Sequence, residues 1–175
     1  MSVATLEGEA LREFLVNNWL THDALWYGEV ASRFGMAEAS PMNLRVCRSL
    51  GRIEFRRFLK ATGSFRPKGM ATFKDLFDRA WKVLGPRAFD TEVEFLADDT
   101  VVARTRECFA HKGMVKAGLI DEYECGIFER IEGWFDAMGV DYTRTPDLSR
   151  CLKHRGEPCI VTIRLRFNGR EGPAR

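Results

Sequence analysis

Apolar residues recur at helical spacing through the first third of the chain. Between residues 6 and 34 they fall at Leu11, Phe14, Leu15, Trp19, Leu25, Trp26 and Val30, and Gly35 supplies a C-terminal stop. Thr21 can cap a fresh helix, so one bent helix or two short ones both satisfy the pattern. A second long helix is predicted over residues 37–61, with Pro41 in its first turn, where a missing amide hydrogen does least harm. Projected at 100° per residue, Arg45, Arg48, Arg52, Arg56 and Lys60 form one stripe. Val46, Leu50 and Ile53 lie on one flank of it, and Cys47, Phe55 and Phe58 on the other. Basic residues so flanked read as a solvated ridge on a mostly buried helix. No helix-turn-helix or other reading module accompanies them, so no nucleic-acid partner is expected.

Residues 62–71 read as a loop, after which Thr72 caps an amphipathic helix, TFKDLFDRAWKVLG, closed by Gly85 and Pro86. Beyond the proline the texture changes. Residues 89–96 and 100–109 read as two strands joined at Ala97-Asp98-Asp99, a hairpin turn. Helical spacing returns over 111–118 and again over 121–138, where Asp121 and Glu124 imitate a capping box and Gly139 ends the run. Residues 141–153 and 158–167 read as a second hairpin around the turn HRGEP, with VTIRLRF alternating cleanly. The expected fold is therefore α+β: N-terminal helices, then two antiparallel hairpins separated by helices, with the helices packed on a four-stranded antiparallel sheet. Residues 1–168 make one domain, and 169–175 a flexible tail.

Composition narrows the classes of function. At 175 residues, 45% hydrophobic and 11% aromatic, the chain can bury one good core. A net charge of +2 calls for neither a nucleic acid nor a membrane surface. The N-terminus carries acidic residues where a signal peptide needs basic and then apolar ones. No run approaches the roughly 20 apolar residues of a spanning helix. A cytoplasmic protein is expected, and its five cysteines then meet a reducing pool.

Those cysteines carry the clearest candidate chemistry. Cys108 ends a predicted strand, Cys125 opens a predicted helix, and Cys151 and Cys159 flank the second hairpin turn. Cross-strand neighbours present their side chains together, and a helix N-terminus favours the thiolate that metals bind. A structural zinc site takes about four such ligands. The fourth place is open among Cys108, His111, His154 and Asp147. Against this stands cysteine as a small buried hydrophobe.

A second group sits on the helices. On a continuous first helix Trp19, His22 and Trp26 share one stripe and could stack on a planar ligand. Glu54 and Arg57 fall on the apolar side of their helix, where they must pair or serve a polar ligand. The chain has no G-x-S-x-G elbow, glycine-rich phosphate loop or H-E-x-x-H helix, so nucleophilic catalysis would rest on a cysteine, best placed at Cys125.

The element order, the cysteine before the last helix and the closing C-x7-C from Cys151 to Cys159 resemble the vinyl-reductase-type domain. That family takes its name from 4-vinyl reductase, includes sensor domains of aromatic-responsive transcription activators, and is similar in fold to small subunits of the TRAPP tethering complex. The resemblance implies a zinc ion held through Cys125, Cys151 and Cys159. The family's glutamate falls on Leu148, which cannot bind metal, so Cys108 or a histidine would complete the set. A second likeness runs through HDALWYGEVASRFGMAEA and LGRIEFRRFLK, which resemble an uncharacterised bacterial and archaeal family described as L-2-amino-thiazoline-4-carboxylic acid hydrolase-like.

Together these readings imply a domain that binds a small hydrophobic or aromatic ligand through Trp19, His22, Trp26, Glu54 and Arg57, beside a zinc site at Cys108, Cys125, Cys151 and Cys159. One alternative is hydrolysis of a small cyclic amidine or thiazoline acid. Another is a homodimeric interaction module.

Overall fold

A computed structural model describes residues 5–167; the tail expected at 169–175 lies outside them. The chain forms α1 (Gly8–Phe34), α2 (Met36–Thr62), α3 (Met70–Leu84), β1 (Phe89–Phe95), β2 (Thr100–Cys108), α4 (Phe109–Ala117), α5 (Gly126–Met138), β3 (Val140–Thr145) and β4 (Cys159–Phe167). The fold is α+β, and its one sheet is antiparallel in the order β1-β2-β4-β3. Among the described residues no helix is long and apolar enough to cross a membrane.

The sheet turns one face inward. Along β4, Val161, Ile163 and Leu165 are buried while Ile160, Arg164 and Arg166 face out, the period of two that the sequence shows. Val101 and Ala103 of β2 join that inner face. α5 lies in the same core and is buried along most of its length, through Phe128, Ile131, Trp134, Phe135 and Met138. Phe55, Phe58 and Leu59 of α2 and Phe73, Leu76 and Phe77 of α3 complete this core. A smaller apolar cluster of Ala31, Met36, Ala39, Met114, Ile120 and Tyr123 ties the α1–α2 corner to α4.

α2 and α5 meet almost backbone to backbone. A Cβ on Gly51 would overlap the Arg130 carbonyl oxygen, and one on Gly133 would stand 2.9 Å from the Arg52 nitrogen and 3.0 Å from the Gly51 Cα. Glycine at both positions lets the helices close. That closeness brings Arg48 of the basic stripe against α5. Its Nε and Nη2 donate to the two Asp136 oxygens at 2.6 and 2.8 Å, and its Nη1 donates to Glu132 at 2.8 Å. The Tyr142 hydroxyl donates to the same Glu132 oxygen at 2.7 Å. The stripe is therefore a solvated ridge only at Arg45, Arg56 and Lys60; its inner edge is an ion-pair network.

Several boundaries differ from expectation. α2 begins at Met36, which puts Pro41 in the second turn rather than the first. α3 begins at Met70, so Thr72 sits inside its first turn with its hydroxyl donating to the Gly69 carbonyl at 2.9 Å. Asp121 and Glu124 form no capping box, because Ile120–Glu122 is a 3-10 turn and α5 starts only at Gly126. Asp121 instead contacts His154 at 2.6 Å. β3 ends at Thr145, ahead of Pro146, which has no amide hydrogen for the ladder. β3 and β4 still pair, but through the long connection 146–158 rather than a tight turn at HRGEP, so Cys151 and Cys159 are not cross-strand partners.

α1 departs most from its pattern. It is continuous, yet Ala31 is its one buried residue, and Leu11, Phe14, Leu15, Leu25 and Trp26 are exposed by 40–69%. On α2, Val46 and Ile53 are also exposed.

Candidate functional site

Two cavities gather the chemistry. The first is small, about 20 Å³, and Cys108, Cys125, Cys151 and Cys159 all line it, with His111, Lys153 and Leu148. Cys108 arrives at the junction of β2 and α4. Cys159 opens β4 opposite Thr105 of β2. Cys125 occupies the N-cap of α5, and its amide donates to the Leu148 carbonyl at 3.3 Å, which draws the 146–158 connection and Cys151 inward. The void has room for one water-sized occupant.

All five cysteines are free thiols. The helix N-terminus does not win at Cys125: the amides of Phe128 and Ile127 lower its pKa, but burial outweighs them and pushes it up to about 12. Burial likewise raises Cys108 and Cys159. In chemical type the four sulfurs suit zinc. As they stand, no group of three or more His, Cys, Asp or Glu side chains among the described residues is arranged to hold a metal ion.

The second cavity, about 180 Å³, opens between α1, α2, α4 and the first turns of α5. Its apolar wall includes Leu20, Val46, Leu50, Phe109, Met114 and Ile127. Its polar members are Asp23, Tyr27, Asn43, Cys47, Tyr123 and Arg130. Arg130 is held on three sides. Its Nε and Nη2 donate to the two Glu54 oxygens at 2.6 and 2.7 Å, Nη2 also reaches the Leu84 carbonyl at 3.2 Å, and the guanidinium lies 4.5 Å from the centre of the Trp19 ring. Trp134 Nε1 donates a third bond to Glu54 at 2.6 Å. Burial raises the pKa of Asp23, an effect that the Arg130 and His22 charges partly oppose. Burial pushes Cys47 up to about 12, so its thiol stays protonated at neutral pH.

The structure distributes the sequence candidates unevenly. Trp19 lines the large cavity, and Glu54 stands behind it through Arg130. His22 and Trp26 lie on the outer face of α1, their rings 6.5 Å apart, and line neither cavity. Arg57 is exposed on α2; the partner of Glu54 is Arg130. Asp23, Tyr27, Cys47 and Arg130 escaped the reading. Asp23 and Tyr27 are four and eight residues beyond Trp19, a spacing that turns them toward the same side of α1. Arg130 carried a sign too, as a lone cation four residues before Trp134 in an apolar helix.

The model of a family of unknown function, DUF6125, matches residues 6–152. The chain belongs to DUF6125. The matched span contains all the residues named for the large cavity, and three of the four cysteines of the small one. No curated protein matches the chain.

Proposed function

We propose that this DUF6125 chain is a small-molecule-binding domain, of the vinyl-reductase type, that takes a hydrophobic or aromatic ligand between α1, α2, α4 and α5. The observation carrying this reading is the 180 Å³ cavity itself, with an apolar wall and a few convergent polar groups. Apolar protein cavities of about 150 Å³ hold one benzene-sized molecule. Thermal melts in the presence of toluene and indole test it. Either compound should raise the melting temperature of the wild type, and Leu50→Trp, which fills the cavity, should abolish the rise. Absence of any shift at millimolar ligand would refute the reading.

The four thiols of the small cavity are proposed as a structural zinc site, supported by their convergence from four separate places in the chain. Zinc would supply a cross-link among β2, the start of α5 and the β3–β4 connection. Since burial raises the pKa of Cys108, Cys125 and Cys159, loading would release protons from them. Protein purified without an affinity tag should carry near-stoichiometric zinc; a metal-free, fully folded protein would refute this part.

A second copy of the chain is the proposed cover for the outer face of α1 and α2. Leu11, Phe14, Leu15, Leu25, Trp26, Met42 and Ile53, none of which lines the large cavity, are each at least 40% exposed. At on the order of 100 Å² apiece they approach the ~800 Å² that each partner buries in a stable interface. Light scattering should find a dimer, and Trp26→Glu should dissociate it.

A further inference from the structure

We infer that the occupant of the large cavity carries one cationic nitrogen on a small apolar or aromatic body, and that Asp23 receives that nitrogen. This rests on the proposed ligand site and specifies the chemistry it selects.

Among the acidic and hydroxyl groups of the lining, Asp23 stands apart. The Tyr27 hydroxyl is 3.0 Å from that of Ser40, the Cys47 thiol donates to Asn43 Oδ1 at 3.6 Å, and the Tyr123 hydroxyl accepts the Gly126 amide at 3.3 Å. Arg130 and Glu54 occupy each other in a two-point ion pair. Asp23 is half-buried against this wall and makes no hydrogen bond or ion pair among the described residues.

Charge points the same way. Arg130 is offset by Glu54, which leaves the Asp23 carboxylate in excess. Cys47 adds none while its thiol keeps its proton. His22 lies on the solvent side of α1. A half-buried carboxylate without a partner is unfavourable, and an ammonium or amidinium would complete it with a short, charge-assisted hydrogen bond. A neutral ligand leaves it unpaired, and an anionic one sets like charges together. The volume admits one ring with a short arm.

Three probes of one shape separate the cases: benzylamine, cationic at neutral pH, benzyl alcohol, neutral, and benzoate, anionic. Calorimetric titration of the full chain should show benzylamine binding at least about tenfold tighter than benzyl alcohol, with benzoate weakest. Asp23→Asn should erase the preference for the amine while retaining benzyl alcohol. The ranking on the wild type stands as a test even if that variant fails to fold. Equal binding of amine and alcohol, or a preference for benzoate through the spare Nη1 of Arg130, overturns the inference while leaving the ligand site intact. Failure of all three probes together with toluene and indole removes both.

Discussion

Glu54→Ala is the sharpest test of how the cavity wall is held. The carboxylate accepts two bonds from Arg130 and one from Trp134, all between 2.6 and 2.7 Å, and both ion-pair partners are only 12% exposed. Removing it leaves a buried guanidinium without a counter-charge, a loss that costs about 3–5 kcal/mol when one half of such a pair is deleted. The unmade Trp134 bond falls within that range rather than adding to it, since the two donors share one acceptor group. For a chain of this size the melting temperature should drop by roughly 10 °C. Urea unfolding of Glu54→Ala, Arg130→Met and the double variant completes a thermodynamic cycle. Because Arg130→Met removes the charge that Glu54→Ala would strand, the double variant should be at least ~1.5 kcal/mol more stable than the two single losses predict. A single-variant cost below ~1 kcal/mol, or strict additivity, would refute the assignment of Glu54 and Arg130 as a buried structural pair.

Two further outcomes follow from packing and titration. Gly51→Ala should destabilise by about 3 kcal/mol, the upper end for overpacking, because the added methyl meets the backbone of α5, which has no rotamer to yield; urea midpoints check it, and a loss under ~1 kcal/mol would deny the close helix contact. Cys47 has its pKa pushed from 9.0 up to about 12, so the folded state keeps a proton that the unfolded state gives up. Stability should therefore fall as pH rises from about 9 toward 12, and Cys47→Ala should flatten part of that slope while leaving the pH 7–8.5 region unchanged in shape. Identical pH slopes for both proteins would count against a buried thiol there.

Local patterning made much of the architecture legible. β4 announces itself in VTIRLRF because one face of its sheet is buried and the other is wet, and the β1–β2 turn stands out at Ala97-Asp98-Asp99. The end of β3 was harder, since 141–153 contains residues compatible with a strand, and only Pro146 within it argues otherwise. Helix starts slipped for a related reason: α3 and α5 carry no side-chain N-cap bond, so the polar residues that signal a cap were employed elsewhere. The large cavity was legible at Trp19 and at Glu54, but not as a site. The partner of Glu54 is 76 positions away, and no local period links α2 to α5 at that distance. α1 misled most, because apolar residues line both its sides and periodicity alone does not say which side meets the body of the protein.

That two-sidedness has a thermodynamic consequence. α1 is about 10 Å across, and it separates the ligand cavity from the apolar stripe proposed to meet a second chain. An occupant of either site that shifts the helix alters the other site's wall, so the two affinities become terms in one coupling free energy. Reciprocity then fixes their relation: whatever factor the small molecule adds to self-association, self-association must return to the small molecule.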